Sequence, residues 1–229
     1  VSLPYAGLYL WHAASPLEVQ PDSLHYHLQL ARQTQTTGAF AEGISFFNVV
    51  PQGAETLFAL VYALSGGWEP SAKLLALAFL LATVPLIAAI GQWWLEMNEG
   101  QSWAAALFYA MTPVVGMAAT CSYTDAVLAF SMLVVLASLL TARPLTGGLT
   151  AGFCYAVKMT GGVAILAGLA VWLWRKKPGA ALWFLLGAML MAGPWLFRSA
   201  WLTGNPLAVV LDGDGLDDVL VGATREYFN

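Results

Sequence analysis

Four stretches of this chain run without a charged residue for long enough to matter: residues 74–95, 103–119, 126–142 and 179–197. A helix needs about 20 residues, within a range of about 17–25, to cross a hydrocarbon core about 30 Å thick. Composition points the same way. Charged residues are 10% and hydrophobic residues 59% of the 229, whereas a soluble globular domain is about one quarter charged. Hydrocarbon, not water, is the solvent such a surface suits. The predicted fold class is all-α: a polytopic transmembrane helical bundle with an external loop of short interfacial helices.

Three parts are expected. Residues 1–70 hold all three histidines (His12, His25, His27) and the polar run from Gln33 to Thr37, and read as an external loop. Within it, residues 53–66 are apolar but reach only about 20 Å as a helix, which is too short to span. That segment is read as interfacial or re-entrant, with a fully buried short helix as the alternative. Residues 71–203 form the membrane bundle, and residues 204–229 an external acidic tail. In the bundle, residues 145–174 would make about 45 Å of helix, too long for one span and short for two. Lys158-Met159-Thr160-Gly161-Gly162 interrupts this stretch, so two short tilted helices meeting there are predicted.

Orientation follows from the basic loops, because cytoplasmic loops carry an excess of Lys and Arg. Arg143 lies in one linker and Arg175-Lys176-Lys177 in another. Placing both inside requires residues 145–174 to cross twice, which also favours the split helix. It puts residues 1–70, the 122–125 turn, Lys158 and everything from Arg198 onward outside, including Asp212, Asp214, Asp217 and Asp218. Residues 96–102, with no Lys or Arg, fall inside. Trp93, Trp94, Trp103, Trp172 and Trp174 lie near inner ends, and Trp68 and Trp201 near outer ends, as an interfacial aromatic belt requires.

Ionisable groups at membrane depth cost several kcal/mol and mark functional sites by default. Asp22, Glu55, Asp125, Lys158 and Arg198 all fall on the external side. For Glu55 and Arg198, pairing or snorkelling explains the position equally well; for Asp22, Asp125 and Lys158 the functional reading is preferred. A carboxylate on such a face can act as general base toward a hydroxyl or amine. Lys and Arg can hold a phosphate, one as a point charge and the other as a bidentate fork. Together they describe group transfer from a lipid phosphate.

Along Asp22-Ser23-Leu24-His25-Tyr26-His27-Leu28 the chain resembles the multi-spanning GT-C fold glycosyltransferases, the superfamily of the protein O-mannosyltransferases and aminoarabinose transferases. The resemblance continues through Pro51-Gln52-Gly53-Ala54-Glu55, Pro113, Ser122-Tyr123-Thr124-Asp125 and Ala156-Val157-Lys158-Met159-Thr160. It ends with Pro194-Trp195, Arg198 and Thr203-Gly204-Asn205-Pro206, and so covers nearly the whole chain in order. It implies a sugar donor on a polyprenyl phosphate, inversion at the anomeric carbon and no soluble nucleotide-sugar. The localisation it implies is a bacterial inner membrane, with the site facing the periplasm. Asp22 takes the place of the family's first-loop carboxylate, as base or acceptor-orienting group, and Asp125 that of a second functional carboxylate. Lys158 and Arg198 are implied for the lipid phosphate, and His25, His27, Glu55 and Tyr123 for substrate binding. No cofactor is required by the residues, and a divalent metal stays open.

The departures are informative. Ser23 follows Asp22 where the protein O-mannosyltransferases carry Asp-Glu, which argues against a protein acceptor. No membrane helix is read before Asp22 and none after Asn229, so a piece of a longer protein is expected. Asp212-Gly213-Asp214-Gly215-Leu216-Asp217-Asp218 fails the EF-hand pattern, and the histidines lack any zinc-site spacing. Cys121 and Cys154 make no disulfide framework and are read as small packed residues. A net charge of -4 gives no support to nucleic-acid binding. Two rival classes remain: a transporter or flippase of a lipid-linked or anionic substrate, and a non-catalytic assembly subunit.

Overall fold

A computed structural model describes residues 2–40 and 46–208. The acidic run Asp212–Asp218 and the rest of residues 209–229 lie outside the described residues. Among the described residues the secondary structure is entirely helical. Two helices are long and apolar enough to cross a membrane, Ser71–Trp94 and Pro178–Thr203, or up to three if the bent pair Glu99–Ala110 and Pro113–Thr120 counts as one span.

The order is α1 (Ser2–Ala14), a π turn (Ser23–His27), α2 (Leu28–Thr37), α3 (Phe46–Val49), α4 (Gly53–Ser65), α5 (Ser71–Trp94), α6 (Glu99–Ala110), α7 (Pro113–Thr120), α8 (Asp125–Leu140), α9 (Pro144–Val157), a 3-10 turn (Met159–Gly162), α10 (Val163–Trp174) and α11 (Pro178–Thr203). The sequence reading gave residues 103–119 one straight crossing. Instead α6 and α7 meet at 63°. Proline 113 supplies the reason: it drives Thr112 to an extended ψ of 123°, because the residue before proline is excluded from the helical region. The interruption at Lys158 is present, with α9 and α10 of 14 and 12 residues on either side.

Helix α1, an apolar segment of 13 residues, packs on α5 and α7 where the sequence suggested only loop and short helices. Tyr9 fastens it by donating to the Ala110 carbonyl at 3.0 Å. Helix α4 is neither free nor fully buried. Glu55, Phe58, Ala59 and Tyr62 face inward against α2 and α5, while Leu60 and Leu64 are exposed.

The closest helix pair is α9 with α11. A Cβ on Gly148 would lie 2.0 Å from the Phe184 carbonyl oxygen, and one on Gly152 2.2 Å from that of Ala188. Only glycine at this four-residue spacing lets the two backbones touch, the small-residue interface that membrane helices use.

Arg175 Nη1 donates to the Leu139 carbonyl at 2.7 Å, joining the α8–α9 and α10–α11 turns at one end of the molecule. Both basic linkers therefore share that end. Its three tight turns each use a non-glycine left-handed residue: Glu96, Ala142 and Lys176. Trp172, expected in an interfacial belt, is instead 1% exposed beneath the Arg175 guanidinium, 5.5 Å from its ring centre. Trp93, Trp174 and Trp201 are exposed as the belt requires.

Candidate functional site

At the opposite end, the turn between α7 and α8, the break between α9 and α10, and the segment around the π turn come together. Lys158 Nζ donates to Asp125 Oδ1 at 3.1 Å, and both side chains stay about half exposed, at 48% and 51%. The backbone explains the meeting. Lys158 stands in extended conformation at the end of α9, while Asp125 opens α8, where a carboxylate is favoured by the positive end of the helix dipole.

The π turn sorts the Asp22–Leu28 motif by face. Ser23 and His27 point inward, while Asp22, Leu24 and His25 are exposed. His27 Nδ1–H donates to Glu55 Oε1 at 2.5 Å, and the residues are only 6% and 4% exposed. With Glu55 ionised its carboxylate only accepts, and the imidazole proton is then on Nδ1 with Nε2 left as the outward ring nitrogen. Glu55 Oε2 is buried with no hydrogen-bond partner. Gly53 allows this arrangement: a Cβ there would come within 2.8 Å of the Ala156 backbone, so α4 can lie against α9 and deliver Glu55 beneath the break. Gln52, buried at the start of α4, donates to the Phe47 carbonyl at 3.0 Å.

A cavity of about 180 Å³ opens among these parts, lined by His27, Glu55, Thr124, Lys158 and Thr160, with Tyr26 and Phe47 on the apolar wall. Those two rings stack at 4.5 Å. A second cavity, of about 300 Å³, lies on the other side of Asp125 and is lined by Tyr123, Tyr109, Thr83 and apolar residues of α5, α7 and α8. Lys158 lines the first cavity and Asp125 the second, and apolar side chains dominate the lining of both.

Asp22 lines neither cavity. It lies close enough to Tyr123 to act on it electrostatically: the phenol is raised above its ordinary value of 10.0, first by burial and then by Asp22, with Cys121, Glu18 and Asp125 adding. Tyr123 donates to the Gln20 side chain at 3.1 Å. Arg198 is set apart, donating to the Asn48 carbonyl and covering the Phe40 ring at 5.3 Å. It does not line the chamber. His25 is exposed and does not line the chamber.

Sequence reasoning missed the residues that hold this end together. Glu18 accepts from the Val19 and Gln20 amides through Oε1 and from the Ser122 amide through Oε2. Lys73, 2% exposed, donates to the carbonyls of His12 and Leu17. No local pattern marks their tertiary roles, since Ser122 lies 104 residues from Glu18 and the Lys73 partners lie 56 and 61 residues away. Among the described residues no three His, Cys, Asp or Glu side chains cluster to hold one metal ion. Comparison with protein-family models, curated proteins and solved structures finds no match to this chain.

Proposed function

We propose that this chain belongs to a polytopic membrane glycosyltransferase of GT-C type, moving a sugar from a polyprenyl-phosphate donor to an acceptor at the external, periplasmic membrane face. The observation that carries this reading is the half-exposed Asp125–Lys158 pair beside a cavity that Lys158 lines with His27 and Glu55, at the end opposite the basic linkers. A lysine there can hold the phosphate of a lipid arriving from the bilayer, and a partly desolvated charge stabilises a leaving phosphate more strongly than one in water. Asp22, exposed beside Tyr123, serves as base or acceptor-orienting group.

The distribution of charge supports an enzyme over a transporter. In α5 through α11 every Asp, Glu, Lys and Arg stands within two turns of a helix end, or in a linker. Transporters place substrate sites near the bilayer midplane at discontinuous helices. The breaks at Lys158 and between α6 and α7 are the features that suit a flippase of lipid-linked substrates, and they make that the second reading.

The test is transfer from radiolabelled polyprenyl-phosphate sugars in membranes containing the protein or its Lys158→Ala variant. Transfer that falls roughly 10²-fold in the variant, the scale of removing one charge-stabilising donor, supports the enzyme. Translocation of labelled lipid across vesicles without transfer supports the flippase.

A further inference from the structure

The exposed Asp22 leaves the chemistry of the chamber unassigned. Its inner wall carries a buried carboxylate–imidazole dyad, and that arrangement has a directional consequence. Glu55 Oε1 fixes the Nδ1–H of His27 at 2.5 Å. Nε2, the other ring nitrogen, has no hydrogen bond among the described residues and belongs to a ring that lines the chamber. Glu55 Oε2 is shut off from solvent behind that ring and also has no partner. A buried carboxylate oxygen without a donor is costly. One acceptor atom, His27 Nε2, therefore sits on a ring that lines a space of about 180 Å³, room for roughly six waters at ~30 Å³ each. That is the scale of one sugar ring.

Lys158 lines the same chamber and disfavours an ammonium ligand there, whereas a neutral polyol carries no such penalty. The stacked Tyr26 and Phe47 rings give such a ligand an apolar face to lie on.

We infer that the chamber is the acceptor subsite for a hydroxyl acceptor, a sugar or similar polyol, and that His27 is the base for transfer, with Glu55 as its positioning residue. This rests on the glycosyltransferase reading and reserves Asp22 for orientation. In the step, the acceptor O–H proton passes to His27 Nε2 as that oxygen bonds to the anomeric carbon. The bond from that carbon to the phosphate oxygen breaks, and its electron pair leaves with the polyprenyl phosphate. The proton on His27 then passes to water, and Glu55 stabilises the imidazolium in between.

The experiment uses the protein in membranes with radiolabelled polyprenyl-phosphate hexoses and two acceptor probes of equal tail, octyl glucoside and octylamine. His27→Ala, His27→Gln and Glu55→Gln are compared with the unaltered protein. Their membrane abundance and thermal midpoints identify the variants that fold. The expected result is transfer to octyl glucoside and not to octylamine. The folded His27 variants should lose about 10²–10⁴-fold, the range of general acid–base catalysis, and added imidazole should partly restore His27→Ala. Glu55→Gln should lose kcat with KM little changed. Full activity in a folded His27 variant overturns the inference and leaves the glycosyltransferase reading standing. So does a loss that imidazole cannot restore, or a preference for octylamine. No transfer from any donor by the unaltered protein overturns both.

Discussion

Lys158 and Asp125, thirty-three residues apart in the chain, meet at 3.1 Å across the break that separates α9 from α10. The pair joins the start of α8 to the end of α9, and it is the only ion pair among the described residues that lies within α5–α11. Its exposure decides what it does. Half-exposed pairs are screened and contribute about 0–1 kcal/mol to stability.

Asp125→Asn should therefore leave the thermal midpoint almost unchanged while transfer activity falls at least about tenfold. Melting of the purified protein and the membrane transfer assay, run on the same preparation, check both halves. A large loss of stability with activity intact would make the pair a structural clasp.

The α9–α11 contact makes the opposite prediction. Gly152→Leu drives a branched side chain into the Ala188 backbone, and overpacking of this kind costs about 1–3 kcal/mol, occasionally more. Thermal unfolding in detergent should show a clear loss of stability. Gly179→Leu, at a position with open space around it, should show almost none.

The Arg175–Leu139 hydrogen bond predicts sidedness. Cysteines introduced at Ala142 and Lys176 should react with a membrane-impermeant maleimide from one side of sealed vesicles, and one at Thr160 from the other. All three positions are exposed, and both native cysteines are buried. Labelling of all three from one side would refute the crossing order.

Cys121 gives a pH prediction. Burial pushes its thiol from an ordinary 9.0 up to about 11, with the Glu18 carboxylate adding and Lys73 opposing. The folded state then holds a proton that the unfolded chain releases between pH 9 and about 11. Stability linked to this thiol is full below pH 9 and declines as pH rises through that window. The thiolate is the reactive form, so alkylation of the folded protein at pH 8 should be negligible and should appear on denaturation.

Much of the helical architecture was legible in the chain. The uncharged runs, the charge-and-glycine interruption at Lys158 and the paired basic linkers are each local signals, read within a window of one helix. What was not legible was the kink at Thr112, where a proline expected inside the crossing that ends at residue 119 divides it into α6 and α7. The α1 helix and the burial of Trp172 were missed for a related reason. Tryptophan near a helix end reads as interfacial, and only the packing of neighbouring helices decides whether it faces lipid or protein.

For the site, the sequence determined which chemistry was available. Carboxylates, a lysine and histidines gather toward one end because charge is expelled from hydrocarbon, a constraint that acts on each residue alone. The tertiary structure decided which of them meet. It turned His27 inward and Asp22 outward on a single π turn, brought Glu55 to His27 by letting Gly53 touch α9, and joined Asp125 to Lys158 instead of to Arg198. Those pairings depend on contacts among segments 28 to 33 residues apart and more. A residue's type fixes its need for a partner, and only the packing of the backbone determines which partner comes within reach.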